Sequence, residues 1–583
     1  MSGRIQSSTT LNKTAQDTGA TPNNTHNYGD GAENDGLRPL PDSTEVDATG
    51  SGIGMSATSI ALLMAPLCLS VLLSSLDITI VTPAIPTIVG SFKSATGYIW
   101  IGSSFILANT ATTPVWGSVA DIFGRKPIML ITIAIFLGGS LLCALAPDID
   151  ALIAGRAVQG TGSAGMSTMV NTIICDTFSM RDRGLYLGIT SLVWAVGSAI
   201  GPILGGLLTT RADWRWCFWI NLPIGGAVFI ILLLFLNISN PRTSLLAGLK
   251  TIDWSGSILI IGAVLMALLA LDLGDVTFPW SSTTIICLLV FGIVVLCLFI
   301  VNEWKFASEP IIPLHLFANK SSVAAYAVYT CNFYVFIGLA YYLPLYFQAV
   351  LYANALSSGI YLLPLIVASS LSAAFAGLFI QRTGIYLPIM YAGQVINLLG
   401  VGLFFSLQFE KSLARLFIFE ILVGLGVGMN IEPPLLAVQA VNTERDTAAI
   451  VATMSFMRSI ANAISIVVGG VIFQNEMTAH NPNLVQQLGP EVARNFTGGQ
   501  ASATINHIND LPNDQQNIVR QTYFHSLRAV WIMYVSFAGL SLLLNLFIRS
   551  HHLSTENKKA VLGQDRGQKA TNPSPGAVEL QNS

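Results

Sequence analysis

Fourteen apolar stretches, each long enough to cross a lipid bilayer, run through the chain. A membrane-spanning helix needs about 20 mainly apolar residues. Because 52% of the 583 residues are hydrophobic and only 10% are charged, a soluble globular fold is excluded. The sequence therefore predicts an all-α polytopic membrane protein with fourteen transmembrane helices. The predicted spans are 59–82, 98–119, 127–146, 151–174, 185–207, 217–237, 254–273, 282–302, 321–346, 357–380, 386–407, 413–435, 447–473 and 525–548.

Lys and Arg are distributed unevenly between the loops that join these spans. The loops on the side of the termini carry Arg125, Lys126, Arg181, Arg183, Arg242, Lys250, Lys305, Lys320, Arg382 and Arg445. The opposite loops carry only Lys93, Arg211, Arg215 and Lys411. Since cytoplasmic loops are enriched in Lys and Arg, both termini are predicted to be cytoplasmic. Residues 1–56 and 551–583 are polar and are predicted to be disordered tails, the first of them not a secretory signal.

A weak internal repeat divides the chain. Gly117 and Gly124 flank the loop after the second span, and Gly377 and Gly384 recur at the same spacing after the tenth. A second pair of similar segments, 156–162 and 420–426, lies on the fourth and twelfth spans. The displacement is eight helices each time, which predicts two six-helix bundles with two helices inserted between them. The predicted divisions are 57–240, 241–305 and 306–550, with a long outer loop at 474–522.

The fifth span carries a glycine pattern: Gly188, Gly197, Gly201-Pro202 and Gly205-Gly206. Gly197, Gly201 and Gly205 recur every fourth residue, so they share one helix face and allow another helix to approach closely. Pro202 removes one backbone donor and can bend the helix. The alternative is an ordinary packing helix of small residues, which a single Gly-x3-Gly pair would favour; here every position of the longer pattern is filled.

These patterns resemble the major facilitator superfamily, and specifically its fourteen-helix drug:proton antiporter-2 family, over residues 57–550. The glycine pattern is similar to the antiporter signature of that superfamily, which separates exporters from importers. Further similar segments are 76–86 in the first span, 156–162 in the fourth and 214–225 before the sixth. The resemblance implies proton-driven export of a small organic molecule, such as a secondary metabolite, toxin or drug.

Asp77 lies within a long uncharged stretch of the first span. An ionisable side chain at such a depth is costly unless it faces the protein interior or a wet cavity, so Asp77 is a candidate proton carrier. Arg156, Gln159 and Ser163 share one face of the fourth span and are predicted to form a polar stripe along the cavity. The resemblance assigns Arg156 to tuning the proton site. The alternatives are a structural hydrogen bond for Asp77 and an arginine that reaches the outer headgroups for Arg156.

The loop after the second span carries a charged cluster. Asp121, Arg125 and Lys126, with Asp176 in the next cytoplasmic connection, are predicted to stabilise one conformation of the transporter, with Gly117 and Gly124 fixing the loop. This gating role follows from the resemblance, and charge pairs at helix ends make it physically reasonable. The alternative is that Arg125 and Lys126 only determine the orientation of the chain in the membrane.

Three charged residues of the second half are candidates for substrate contact or ion pairing: Glu420, Glu432 and Arg458. Arg458 lies deep in the thirteenth span and needs a partner, and the two acids are the available ones. An acid in the cavity would favour cationic substrates. Tyr329 and Phe333 share one face of the ninth span, and they either line a pocket for a flat ligand or pack in the core.

The remaining motifs point away from enzymes. The sequence contains no Cys/His metal spacing and no phosphate-binding loop, so no catalytic residue, cofactor or metal is predicted. The predicted partners are a small-molecule substrate, protons and membrane lipid, without nucleic acid, and the chain is predicted to be a monomer. Asn495 begins a glycosylation sequon. The predicted location is the plasma membrane; a vacuolar transporter of basic amino acids and a non-transporting sensor are the alternatives.

Overall fold

The computed structural model describes residues 57–92, 97–236, 245–274, 278–307, 309–353, 355–407, 412–494 and 511–555, together with Phe409, Phe496 and Ile508. These residues form α-helices and short 3₁₀ turns, without any β-strand. The helices are α1 Ala57–Ile80, α2 Ile85–Phe92, α3 Gly97–Phe123, α4 Arg125–Leu145, α5 Ile149–Thr177, α6 Met180–Arg211, α7 Trp216–Trp219, α8 Asn221–Phe235, α9 Leu245–Thr251, α10 Trp254–Leu273, α11 Thr283–Lys305, α12 Lys320–Ala349, α13 Ala355–Thr383, α14 Leu387–Phe404, α15 Leu413–Gly428, α16 Pro433–Val441, α17 Thr447–Leu488, α18 Pro490–Arg494 and α19 Asn513–Asn545.

Each predicted span coincides with a helix or with two consecutive helices. Within the described ranges, twelve helical segments are long and apolar enough to cross a membrane. The other two predicted spans coincide with α3 and α5, which have 27 and 29 residues but contain more polar side chains. The all-α polytopic membrane fold is confirmed. The division into two six-helix bundles and an inserted pair stays a prediction.

The prediction of an outer loop at 474–522 is wrong over much of that range, because the structure has helices there. α17 continues to Leu488, α18 follows, and α19 begins at Asn513. Polar residues in 474–488 hid an apolar face, on which Met477, Leu484 and Leu488 are buried in the same core as Tyr523. A helix outside the lipid hydrocarbon can pack against the rest of the protein through one apolar stripe of this kind. Asn495 lies outside the described residues, so its glycosylation stays a prediction.

The helices of the predicted insertion lie at the side of the molecule. α10 packs against α3 and α17, where Ile260 and Val264 share an apolar core with Leu107 and Phe456. α11 packs on α10 and leaves large apolar side chains exposed, including Phe291 and Ile293. Such a surface suits lipid contact, because apolar side chains at this depth face hydrocarbon.

The repeated segments adopt matching conformations. Gly160 of α5 lies so close to α3 that an added Cβ would overlap the Phe105 carbonyl. A Cβ added at Gly424 of α15 would likewise lie 2.6 Å from the Leu365 carbonyl oxygen of α13. The loop glycines also match, since Gly124 has a φ of 97° and Gly384 a φ of 74°. The two halves therefore share a close helix contact and a glycine of positive φ, although one residue separates α3 from α4 and three separate α13 from α14.

We expect Gly124→Ala to lower the free energy of unfolding by about 1–3 kcal/mol, because L side chains rarely adopt its φ of 97° and ψ of 160°. The measurement is the temperature at which purified protein loses its monodisperse elution peak. Gly138→Ala on α4, the helix that follows Gly124, is the control, since an added Cβ there meets no described atom within 4 Å. Equal stability of the two variants would contradict the assigned backbone conformation.

Candidate functional site

Asp77 is the centre of a fully buried polar cluster. Arg156 Nη1 lies 2.6 Å from Asp77 Oδ2, and Gln159 Nε2 donates to Asp77 Oδ1 at 2.6 Å. Asn221 Nδ2 donates to the same oxygen at 2.8 Å. Asp77 has no solvent exposure and Arg156 is 2% exposed. Because three donors compensate the carboxylate, its charge is stabilised despite complete burial.

Arg156 is held in place from several sides. Its Nη1 also donates to Gln159 Oε1 at 2.7 Å, and its Nε donates to the Ile101 carbonyl at 3.1 Å. The guanidinium carbon lies 4.4 Å from the centre of the Phe105 ring, within cation–π distance. The alternative in which Arg156 reaches the outer headgroups is therefore wrong. The structure brings Asp77, Arg156 and Gln159 together; their role in proton coupling stays a prediction.

Sequence reasoning missed two members of this cluster. Asn221 begins α8, and Ser140 of α4 accepts from Gln159 Nε2 at 2.7 Å and from Asn221 Nδ2 at 3.3 Å. An amide at the start of an apolar span was the available signal, because a polar side chain in hydrocarbon needs a partner. We call Asp77, Ser140, Arg156, Gln159 and Asn221 the Asp77 cluster.

A central cavity of about 420 Å³ lies between the N-terminal helices α1–α6 and the C-terminal helices α12–α17. Asp77, Arg156 and Gln159 do not line it. Ser74, one turn before Asp77, and Ser163, one turn after Gln159, line it and share a hydrogen bond of 2.5 Å. The predicted cavity stripe on α5 thus meets the cavity only at Ser163, because the other two side chains point into the helix bundle.

The glycine face of α6 packs directly on α1 beside Asp77. A Cβ added at Gly197 would overlap the Ser75 hydroxyl, and a Cβ added at Gly201 would overlap the Thr79 hydroxyl. A Cβ added at Gly205 would overlap the Ile80 carbonyl oxygen. α6 continues through Pro202 to Arg211. At the other end of α6, a Cβ at Gly188 would lie 3.0 Å from the Ala373 carbonyl of α13.

Gly206 differs from the other glycines of the pattern. A Cβ added at Gly206 meets no atom of the described residues within 4 Å. Close helix approach therefore explains Gly188, Gly197, Gly201 and Gly205, and nothing in the structure explains Gly206.

The charged cluster of the α3–α4 loop is assembled around Arg125, which is 1% exposed. Arg125 Nη1 lies 2.6 Å from Asp121 Oδ1, and its Nε lies 2.7 Å from Asp176 Oδ2. Lys126 is separate from this cluster, since its Nζ donates to the Leu233 carbonyl at 2.8 Å. Gly117 faces α17, where an added Cβ would lie 2.7 Å from Ala452 Cβ. Gly124 provides the turn between α3 and α4.

Contacts between the N-terminal and C-terminal helices include a group at the predicted cytoplasmic end. Gln381 Nε2 donates to Asp182 Oδ1 at 2.9 Å, and Arg183 Nη1 donates to Gln439 Oε1 at 3.0 Å. Arg181 donates to the carbonyls of Gln381 and Arg382. These bonds join the N-terminal and C-terminal helices at that end. Sequence reasoning missed this contact of Gln381.

The cavity contains some of the predicted substrate residues and excludes others. Glu432, Arg458, Tyr329 and Phe333 line it. Glu420 does not; it is fully buried in α15 and makes no ion pair with Arg458. Lining residues that sequence reasoning missed are Asn109, Thr113, Ser167, Asn171, Trp194 and Phe336. Over the described parts of the chain, no group of His, Cys, Asp and Glu could hold a metal ion.

Comparison with known proteins places the chain in a family. The model of the Major Facilitator Superfamily matches residues 67–466. The efflux pump dotC of Dothistroma septosporum is 45% identical over 524 residues, 90% of each chain. The MFS-type transporter ppz2 of Metarhizium majus is 42% identical over 88% of this chain and 89% of that protein.

Among solved structures, the proton:xylose symporter XylE bound to 6-bromo-6-deoxy-D-glucose matches with a TM-score of 0.53 and 14% identity, over 88% of this chain and 100% of that one. At this identity the likeness concerns the fold alone. The family model and the fungal relatives settle the family by sequence, and they confirm the prediction made from the motifs. The chain therefore belongs to the major facilitator superfamily and is a multi-pass transporter of small molecules, not an enzyme.

Proposed function

We propose that the chain is a proton-coupled efflux carrier that exports a small organic molecule by alternating access. The observation that carries the proposal is the Asp77 cluster, in which one carboxylate is fully buried between α1, α4, α5 and α8 and is held by three donors. A carboxyl whose donors are withdrawn in another conformation binds a proton, and it releases that proton when the donors return.

The position of Asp77 supports coupling to the substrate. α1 carries Asp77 on one face and contributes Val71, Ser74 and Ile78 to the central cavity. A movement of α1 therefore changes both the proton site and the substrate site. α6 is packed against the same part of α1 through its glycine face. The two helices thus form one unit that responds to occupation of either site.

The direction of transport is part of the proposal. Substrate loads from the cytoplasm or the inner leaflet, protons enter from outside, and the bonds of Arg181, Asp182 and Arg183 to the C-terminal helices seal the cytoplasmic end while the substrate leaves. The names of relatives such as the efflux pump dotC support this direction. We place the carrier in the plasma membrane, acting as a monomer with secondary metabolites, toxins or drugs as cargo.

Purified protein in lipid vesicles tests the proposal. With a pH gradient that drives protons toward the cytoplasmic face, we expect fluorescent aromatic compounds to move in the opposite direction. A protonophore should reduce their flux to that of protein-free vesicles, and reversing the gradient should reverse the flux. Flux that is equal with and without the gradient would contradict proton coupling. Cells expressing a tagged chain would locate it in the plasma or the vacuolar membrane.

A further inference from the structure

The central cavity combines one half-buried guanidinium with an aromatic wall. We propose that it selects planar aromatic compounds that carry an anionic group, a carboxylate or an ionised phenol, and that Arg458 binds this group. The inference rests on the proposed efflux function and adds to it the chemical class of the substrate. It reverses the expectation, made from the acids of the sequence, that cationic substrates are favoured.

Arg458 provides the cavity with a permanent positive charge. Of the described residues that line the cavity, Glu432 and Arg458 are the charged ones. Arg458 faces the Phe333 ring and the Tyr329 hydroxyl; among the described residues it makes no ion pair with a carboxylate, and Glu432 attracts it only from a longer distance. Because arginine stays protonated in proteins, its charge in a membrane-embedded cavity favours a ligand that brings an anion.

Glu432 has a different environment. Its Oε1 accepts a hydrogen bond from Ser191 of α6 at 2.9 Å, across the boundary between the N-terminal and C-terminal helices. Glu432 is 8% exposed, whereas Arg458 is half-buried, so Arg458 is the more accessible of the two residues. A carboxyl group can also become neutral by binding a proton, whereas a guanidinium cannot. The net preference of the cavity is therefore for anions.

The aromatic wall lies beside Arg458. The rings of Tyr329 and Phe333 are 4.8 Å apart between centroids, and the Arg458 guanidinium carbon is 5.4 Å from the Phe333 centroid. A flat ligand that stacks on Phe333 thus places a ring substituent next to Arg458. Aromatic pairs gain stability beyond the area they bury, so this wall selects flat rings over aliphatic chains.

The opposite wall is rich in hydrogen-bonding side chains. α3 contributes Asn109 and Thr113, and α5 contributes Ser167 and Asn171. These amides and hydroxyls can donate and accept, so they suit carbonyl or hydroxyl groups on the far edge of the ring system. The cavity of about 420 Å³ therefore fits a polyoxygenated aromatic compound with one acidic group.

Three matched probes separate charge from shape: anthracene-9-carboxylate, its methyl ester, and 9-(aminomethyl)anthracene. Binding to the solubilised full chain is measured by the quenching of tryptophan fluorescence. The relevant signal is the part of the quenching that disappears in Trp194→Phe, because Trp194 lines the cavity. We expect the carboxylate to bind roughly ten- to a hundredfold more tightly than the ester, and the amine to bind most weakly.

Arg458→Gln should remove this preference, because it weakens binding of the carboxylate and leaves binding of the ester unchanged. Arg458→Lys should retain most of the preference. Arg528→Gln is the matched control, because Arg528 lies 4.1 Å from the Phe405 ring and does not line the cavity. Tighter binding of the amine, or an equal loss for all three probes in Arg458→Gln, would overturn the inference.

Flux of the same probes into vesicles separates the inference from the proposed function. Proton-driven flux without a preference for the carboxylate would leave the efflux function standing and refute the selectivity. Selective binding of the carboxylate without any proton-driven flux would refute the efflux function and leave the ligand class standing.

Discussion

Asp77→Asn is expected to abolish proton-driven flux, so that transport in vesicles falls to the rate of protein-free vesicles. Asparagine has nearly the shape of aspartate and keeps an acceptor for Gln159 and Asn221, but it carries no titratable proton. The substitution also leaves Arg156 as a buried charge without its partner, 2.6 Å from the altered side chain. Removing one member of a buried ion pair destabilises a protein by about 3–5 kcal/mol.

A second variant separates the loss of function from the loss of stability. Asp77→Asn combined with Arg156→Gln removes both charges, which is often nearly neutral for a buried pair. We expect this double variant to regain the thermal stability that Asp77→Asn loses, and to remain without proton-driven flux. Flux that returns with stability would show that Asp77 is structural, which is the alternative for this residue.

Asp213→Asn is the matched control for removing an acid. Asp213 pairs with Arg215 at 3.8 Å, and its side chain is 49% exposed. An exposed pair of this kind contributes between zero and about 1 kcal/mol. Asp213→Asn should therefore keep both stability and flux. Uncoupler-sensitive flux at the wild-type rate in Asp77→Asn would remove Asp77 from the coupling mechanism.

The sequence predicted the helices and singled out Asp77 and Arg156 because the bilayer imposes strict rules. A span must be apolar over about 20 residues, and a charge within it must be compensated. Asp77 and Arg156 are charges within two such spans, so each needs compensation, but only the structure shows that they pair with each other. Asn221 and Ser140 complete the cluster through packing contacts, which no periodic pattern encodes.

The orientation of side chains around a helix was beyond the sequence. Glu420 and Glu432 are twelve residues apart, and the helix is interrupted between α15 and α16, so their relative direction depends on that break. The structure places Glu432 at the cavity and buries Glu420 inside the C-terminal helices. In the same way, the stripe on α5 was correctly placed on one face, but that face meets the cavity only at Ser163.

Gly205→Ala is expected to lose most of the folded protein and all flux. An added Cβ overlaps the carbonyl oxygen of Ile80, a backbone atom that cannot rotate away. Overpacking of this kind costs typically about 1–3 kcal/mol and more where the backbone must shift. The shift moves α1 three residues after Asp77, so it also disturbs the Asp77 cluster. The measurement is the monodisperse peak of detergent-solubilised protein, followed by vesicle flux of the fraction that remains.

Substitution of two other glycines of α6 should have smaller effects, because an added Cβ meets a side chain at one of them and no described atom at the other. The Cβ added by Gly201→Ala meets the Thr79 hydroxyl, which belongs to a side chain. The further substitution Thr79→Ala removes that hydroxyl and should restore part of the yield of folded protein. Gly206→Ala is the neighbouring control and should be neutral or stabilising, because its Cβ meets no described atom and alanine favours the helix. Equal effects of Gly205→Ala and Gly206→Ala would show that the glycine pattern does not act through the approach of α1 to α6. A loss of folded protein that decreases in the order Gly205→Ala, Gly201→Ala, Gly206→Ala would show that this pattern holds α1, the helix of Asp77, in place by close packing.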